Sequence, residues 1–106
     1  MLFSITSKHI ELEESFKDYA REKTSKFPRY YSGVNQTEVI VDGGEGSHSG
    51  DVSVEIIARG EHSNVFVCTE TDPDVLKAFD AAVHKVERQL RRKKEKERNN
   101  KHISGG

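Results

Sequence analysis

Two kinds of hydrophobic spacing divide the chain into predicted strands and helices. Apolar residues alternate with polar ones in four short stretches, which is the pattern of strands in a sheet covered on one face. These stretches are Leu2–Ser7, Thr37–Asp42, Asp51–Arg59 and His62–Glu70. In the third stretch the alternation predicts that the two valines, Ile56 and Ala58 face the core.

Two other stretches repeat their apolar residues every three or four positions, which is the spacing of a helix with one buried face. The first extends from Leu12 to Phe27, and Pro28, which lacks a backbone donor, is expected to end or kink it. The second begins near Asp74, where residues 71–74 supply candidate N-caps and Pro73 suits the first turn. Its predicted buried face consists of Val75, Leu76, Phe79, Ala82, Val83, Val86 and Leu90.

The predicted order of elements is β-α-β-β-β-α, with a Gly-rich loop at Gly43–Gly50 and a tight turn at Gly60-Glu61. A sheet with one apolar face needs a cover, which two amphipathic helices supply. We therefore predict an α+β fold, a two-layer sandwich in which a four-stranded sheet carries both helices on one face. The predicted domain covers residues 1–98, and residues 99–106, which lack periodicity, are expected to form a flexible tail.

Composition limits the class of protein. A chain of 106 residues suffices for one domain with a modest core. Cys68 is the only cysteine, so no intramolecular disulfide can form. No segment resembles a signal peptide, and the apolar runs are too short to span a membrane. These features predict a cytoplasmic protein without membrane contact.

Charge is distributed very unevenly along a chain whose net charge is only −1. Between His84 and His102, nine Lys or Arg residues stand against three Glu residues, so this segment carries +6 and residues 1–83 carry −7. The simplest alternative is a solvated helix face that carries i,i+4 ion pairs, and it accounts for Glu87–Arg91 and Lys93–Glu97. It does not account for the four adjacent cations at residues 91–94. We therefore predict a polyanionic partner.

The residues also indicate which polyanion to expect. The outward strand positions are mostly Ser, Glu, Thr and Asp, which disfavours base stacking on the sheet. Phosphate and shape contacts from the helices fit folded RNA better, and the two parallel helices are expected to form a basic groove. The first helix contributes Lys17, Lys23, Lys26 and Arg29 to it. Because α-β-β-β-α is also the order of double-stranded-RNA-binding domains, a general module of that kind is an alternative at the level of fold.

No catalytic or metal site has a recognisable spacing. The loop Gly43–Gly50 lacks the lysine of a phosphate-binding loop and leads into a strand. The five histidines stand singly, without the partners of a zinc site. Ser49 and His48, with a neighbouring Asp, lack the rigid turn that a catalytic triad needs. We predict no enzyme activity, cofactor, metal or small-molecule substrate, and an enzyme using His48 or Cys68 is the third hypothesis.

Four sequence blocks resemble one known family. Ile5–Leu12 resembles its opening "ITSKxxEhT", and Lys23–Tyr31 resembles the "KxxKLxxYF" at the end of its first helix. Asp74–Asp80 is similar to its "DxYxAID", and Lys85–Leu90, with the basic run behind it, is similar to "KLERQLxKxK". The family is that of ribosome hibernation-promoting factors and ribosome-associated inhibitors, also known as the sigma-54 modulation protein family. The resemblance covers about residues 2–98.

The resemblance implies a function. Members bind the small ribosomal subunit between head and body, overlap the sites of messenger RNA and transfer RNA, and block initiation in starved or stationary cells. Cations of both helices face ribosomal RNA in such proteins. By matching position these are Lys8, Lys23, Lys26, Lys85, Arg88, Arg92, Lys94 and Lys96. Charge geometry, not the motif, adds Arg29 and Arg91.

The chain also departs from the family pattern. Leu76 replaces the tyrosine of "DxYxAID", which removes a hydroxyl, and Thr24 replaces an apolar residue, so that looser packing of the first helix is expected. Long members carry a second domain that dimerises ribosomes, and some inhibitors carry an acidic tail. Neither matches a segment of this chain, so a short form is expected. The pattern leaves self-association open, and the expected state is a monomer.

Overall fold

The computed structural model describes residues 1–44 and 50–105, the last seven as backbone only. Four strands form a single sheet, and their bounds are β1 (Leu2–Lys8), β2 (Val34–Asp42), β3 (Val52–Gly60) and β4 (Val65–Asp72). They lie in the order β1-β2-β3-β4, with β1 parallel to β2 and the other neighbours antiparallel. This arrangement confirms the predicted four-stranded sheet.

The helices are α1 (Glu14–Thr24), a single turn α2 (Phe27–Tyr30), and α3 (Val75–Gly105). The first predicted helix, which was expected to run from Leu12 to Phe27, is therefore shorter and divided. Pro28 lies in the first turn of α2, where a missing N–H costs nothing, so it begins a new helix instead of ending the old one. Helix α3 begins one residue later than expected, because Asp74 is its N-cap and accepts a 2.9 Å hydrogen bond from the Leu76 amide.

Alternation along the strands fixes the two faces of the sheet. Val39 and Val41 of β2 and Val54 and Ile56 of β3 are fully buried beneath the helices. The apolar stripe of α3, with Phe79, Val86 and Leu90 fully buried, completes this core. Leu76, which was predicted to lie on this buried face, is instead 43% exposed. Helices α1 and α3 both cover the same face, as the α+β two-layer prediction required.

The connection between β3 and β4 differs from the prediction. The expected turn at Gly60-Glu61 is instead a four-residue loop, and β4 begins at Val65. His62 and Ser63 have φ angles of 59° and 62°, a left-handed conformation that residues other than glycine rarely adopt. Asn64 stabilises the loop by donating a 3.0 Å hydrogen bond to the Glu61 carbonyl.

Helices α1 and α3 run in the same direction. A parallel crossover joins β1 to β2 through α1, and β4, which α3 follows, is also parallel to β2. Contacts between the two helices are consistent with this direction. Phe16 and Tyr19 of α1 pack edge-on against Phe79 of α3, with ring centroids 5.4 and 5.8 Å away. The Tyr19 hydroxyl also donates a 2.7 Å hydrogen bond to Asp80. The N-terminal ends of both helices therefore lie at the same end of the molecule.

Thr24, which occupies a position that is apolar in the family motif, is fully buried. Its hydroxyl donates a 2.9 Å hydrogen bond to the carbonyl of Ala20, one turn earlier in α1. This bond satisfies the polar group, so burial costs little. The threonine is thus accommodated without an unpaired hydroxyl.

Two predictions concern residues that the structure does not describe in full. Residues 45–49 of the expected Gly43–Gly50 loop, including His48 and Ser49, lie outside the described residues. The backbone of α3 continues to Gly105, so the expected tail begins within this helix. The domain boundary at residue 98 and the flexibility of residues 99–106 stay predictions.

Candidate RNA interface

The parallel helices separate charge along the molecule. Acidic residues collect at their N-terminal ends, where Glu13 and Glu14 begin α1 and Asp72 and Asp74 precede α3. The cations lie in the C-terminal halves of α1 and α3, and Arg21 and Lys23 in the last turn of α1 also complement the dipole of that helix. The net charge of +6 that the sequence shows in the C-terminal segment is therefore also separated in space from the acidic residues.

One set of cations follows the side of α3 that faces β4, and we call it the β4 flank. Its residues are Lys85, Arg88, Gln89 and Arg92, which line a shallow surface depression. Lys85 forms an ion pair with Glu70 of β4, and this contact raises the pKa of Lys85. Gln89 donates a 3.1 Å hydrogen bond to Sγ of Cys68. These two contacts with β4 orient the flank, while Arg88 and Arg92 remain exposed.

A second set lies on the opposite side of α3, beside α2, and we call it the α2 flank. Its residues are Arg29, Tyr30, Arg91, Lys94, Glu95 and Arg98. The guanidinium carbon of Arg91 lies 4.6 Å from the centre of the Tyr30 ring, which is a cation–π contact. Arg91 forms no ion pair with Glu87 in the part of the chain that the structure describes, so the expected Glu87–Arg91 pair is wrong. The guanidinium of Arg91 instead contacts the Tyr30 ring, which α2 places beside α3.

The remaining predicted contacts are more scattered. Lys23 lies over the Tyr19 ring at 5.5 Å, and Lys26 occupies the turn between α1 and α2. Lys96 is exposed one turn beyond Arg92. Lys8 is far from all of them, because it ends β1 at the acidic end, and strand alternation places it on the open face of the sheet. The structure therefore brings together nine of the ten predicted residues on the helical layer and leaves Lys8 apart.

Polar contacts position the C-terminal part of α3. The hydroxyl of Tyr31, a residue only 8% exposed, donates a 2.8 Å hydrogen bond to Glu97 and accepts a 3.1 Å bond from Asn64. Burial and the Glu97 carboxylate raise the pKa of Tyr31. Lys93 lies 3.7 Å from Glu97, which confirms the expected i,i+4 pair. These contacts link α3 to the β3–β4 loop and to the end of α2.

The open face of the sheet offers no aromatic platform. Along the four strands its positions are polar apart from a few aliphatic residues, notably Ile40, Ile57 and Val67. The edge strand β4 exposes Val65 and Val67 by 54% and 45%. Base stacking of the RRM type therefore has no ring to use on this face.

The remaining groups do not form a second site. Cys68 is buried, and this burial raises the pKa of its thiol, which is the opposite of what a nucleophile needs. Among residues 1–44 and 50–98, whose side chains the structure describes, no three His, Cys, Asp or Glu side chains are grouped closely enough to hold a metal ion. The same ranges contain no helix with the length and hydropathy needed to cross a membrane.

Comparison with known proteins identifies the family. A family model described as "Sigma 54 modulation protein / S30EA ribosomal protein" matches residues 3–98, nearly the whole chain. The chain belongs to this family. A relative in Escherichia coli, named ribosome hibernation promoting factor, is 24% identical over 96 residues, which cover 91% of this chain and 96% of that protein. A Pseudomonas putida protein of the same name is 24% identical over 102 residues, covering 92% and 90% of the two chains.

Solved structures support the fold of this S30EA family member. The N-terminal domain of Thermus thermophilus Protein Y has a TM-score of 0.72 at 22% identity and covers 86% of this chain and 96% of that chain. A ribosomal subunit interface protein from Coxiella burnetii has a TM-score of 0.76 at 15% identity, covering 89% and 98%. At such identities the likeness concerns the fold alone.

Sequence reasoning missed several residues of the two flanks. Tyr30 and Gln89 carry no charge, so the pattern of cations did not predict them, although Tyr30 lies within the quoted "KxxKLxxYF" block. Arg98 was counted in the net charge but was not selected as a contact. A search for aromatic residues near the C-terminal end of the first helix would have found Tyr30.

Proposed function

We propose that this protein is a ribosome hibernation factor that inhibits translation without catalysis. It binds the small ribosomal subunit, contacts the ribosomal RNA through both flanks of α3 and the end of α1, and occludes the sites of messenger RNA and transfer RNA. It acts in the cytoplasm under stress or in stationary phase, as a monomer and without a cofactor. Family membership, joined to the relatives' name, carries this proposal.

The distribution of charge supports RNA as the surface that is contacted. The β4 flank and the α2 flank present cations on both sides of a single rigid helix. Phosphate contacts of this kind release counterions, so affinity falls with salt. If about six phosphates are neutralised, the logarithm of affinity should fall against the logarithm of salt concentration with a slope of about −4 to −5.

Co-sedimentation with separated small and large ribosomal subunits, repeated across a series of salt concentrations, tests the proposal. We expect saturable and salt-sensitive binding to the small subunit alone. Equal binding to both subunits and to plain RNA duplex would instead favour the general double-stranded-RNA module. Binding to neither, at any salt concentration, would contradict both hypotheses.

A charge-reversed variant tests the site. Arg88→Glu/Arg92→Glu reverses two exposed cations of the β4 flank and should weaken small-subunit binding more than tenfold. The slope of log affinity against log salt concentration should decrease in magnitude by about two. The structure pairs Lys17 with Glu14 at the start of α1, away from the predicted basic groove. The matched control Lys17→Glu/Lys77→Glu therefore makes the same change of charge toward the acidic end. Equal losses in the two variants would mean that net charge, and not this flank, governs binding.

Two further variants separate binding from catalysis. Cys68→Ala removes the buried thiol, and His48→Ala removes the loop histidine. We expect both variants to inhibit translation in a cell-free assay as the wild type does. Loss of inhibition in either, with intact small-subunit binding, would favour the enzyme hypothesis.

A further inference from the structure

The α2 flank contains a feature that phosphate binding does not require. A cation that contacts phosphates is usually a mobile side chain in solvent, but the guanidinium carbon of Arg91 lies over a tyrosine ring, 4.6 Å from its centre. Tyr30 is itself half-buried and packs against the hydrophobic core, so the ring is fixed. The contact therefore restrains the guanidinium beside the ring, while Arg91 remains exposed to solvent.

A fixed guanidinium plane is a stacking surface for a nucleobase. RNA-binding proteins use aromatic rings and arginine planes for this purpose when they recognise unpaired bases. Three further cations, Arg29, Lys94 and Arg98, border the same depression and suit the phosphates on either side of such a base. The α2 flank therefore contains side chains suited to stacking on a nucleobase as well as side chains suited to contacting the RNA backbone.

A second feature of the depression is the side chain of Glu95. It is the only acid in the depression, and its carboxylate makes no hydrogen bond or ion pair within the described part of the chain. An ionised carboxylate only accepts hydrogen bonds and can accept two at once. Guanine presents two adjacent donors, N1–H and N2–H, on its Watson–Crick edge, with the acceptor O6 beside them for a cation. Uracil, cytosine and adenine lack this pair of donors.

We infer that the α2 flank is a binding subsite for one unpaired guanine, stacked on Arg91 and read by Glu95. The inference rests on the proposed function, because it names a base within the RNA that the helices contact. It also explains an acid among cations, which a purely electrostatic surface would avoid. The guanine would be bound in addition to the phosphates, so its loss removes selectivity more than total affinity.

Chemical probing of purified small ribosomal subunits tests this inference. Kethoxal modifies the N1 and N2 atoms of unpaired guanines, which are the atoms assigned to Glu95. We expect the wild type to protect one guanine that becomes reactive again with Glu95→Gln at saturating protein. Glu87→Gln is the matched control, since it makes the same change of charge on α3 outside the depression. Unchanged protection in both variants would overturn the guanine site.

A binding assay with defined RNA separates the stack from the charge. The probe is a short RNA hairpin with one bulged position that is guanine, another base, or abasic. The wild type should prefer the guanine hairpin to the abasic one by at least about fivefold, the size of one stacked base. Arg91→Lys keeps the charge but removes the plane and should abolish this preference, whereas Arg92→Lys on the β4 flank should retain it.

The outcomes distinguish the two proposals. Salt-dependent binding to the small subunit, without preference among the hairpins, leaves the proposed function standing and overturns the guanine site. Equal loss of preference with Arg91→Lys and Arg92→Lys also overturns it, because the Tyr30 stack is then irrelevant. Absence of binding to small subunits and hairpins alike overturns the proposed function and the inference together.

Discussion

Helix α3 is attached to the rest of the protein in two different ways along its length. From Val75 to Leu90 its inner face consists of apolar side chains, most of them fully buried against the sheet and α1. From Arg91 to Arg98 no residue is buried, and polar and cation–π contacts with Tyr30 and Tyr31 hold the helix. Because burial of apolar surface dominates folding stability, the first half stabilises the fold and the second half displays charge.

The largest expected effect concerns the apolar half. Phe79→Ala should lower the free energy of unfolding by about 3–5 kcal/mol, since it leaves a cavity beneath the rings of Phe16 and Tyr19. Urea denaturation followed by circular dichroism measures the change. Arg92→Ala, in the exposed half, should stay within about 0.5 kcal/mol of the wild type. Similar losses for both variants would remove the distinction between the halves.

A smaller effect is expected where polar contacts hold the helix. Tyr31→Phe keeps the ring beside Phe66 but removes the hydrogen bonds to Glu97 and Asn64, which should cost about 1 kcal/mol. Amide hydrogen exchange should accelerate at residues 91–98 and stay unchanged at residues 75–90. Uniform acceleration along α3 would show that the helix is held as one unit.

The ion pair of Lys85 gives a test of binding. Lys85 lies in the apolar half and pairs with Glu70, which would compete with RNA for its charge in the proposed complex. Glu70→Gln should therefore strengthen small-subunit binding about two- to fivefold, the range of a partly exposed ion pair. The control is Glu38→Gln, which neutralises an acid 3.2 Å from Arg59 on the open face of the sheet. An equal gain with Glu38→Gln would be an effect of net charge alone.

The smallest effect concerns pH. The hydrogen bond to Asp80, burial and the Asp80 charge raise the pKa of Tyr19 from 10.0 to about 12. Between pH 10 and pH 12 the unfolded chain thus loses a proton that the folded protein keeps, so this contribution to stability is complete below pH 10 and is lost as pH rises through 12. Tyr19→Phe should show a flatter decline of Tm over this window, and so should Asp80→Asn. A decline as steep as that of the wild type would contradict the assignment.

Periodicity predicted most of the fold because the sheet and the long helices bury a single face each. Alternation located all four strands, and three- and four-residue spacing located both long helices. The four-residue loop before β4 was missed because His62 and Ser63 adopt positive φ angles that sequence rules assign to glycine or asparagine. The single turn α2 was missed because Pro28 was interpreted as the end of a helix.

The candidate site was predicted as a set of charges but not as an arrangement. Counting cations located the C-terminal half of α3 and the end of α1. Periodicity did not reveal that Arg91 would contact Tyr30 or that Lys85 would contact Glu70, because these pairs are distant in sequence and meet only after folding. Lys8 was selected by a motif match, and the sheet places it apart from the cations of the helices, so its contact with RNA stays a prediction.

If the protein binds RNA as proposed, the acidic N-terminal ends of α1 and α3 limit the orientation in which it can dock. A molecule with cations alone would bind a phosphate surface in many orientations, including end for end. Here the reversed orientation would bring Glu13, Glu14 and Asp74 against phosphates, and like-charge contact of this kind is costly. The charges at this end therefore contribute to selectivity by repulsion, and replacing them with neutral residues should produce a tighter but less discriminating binder.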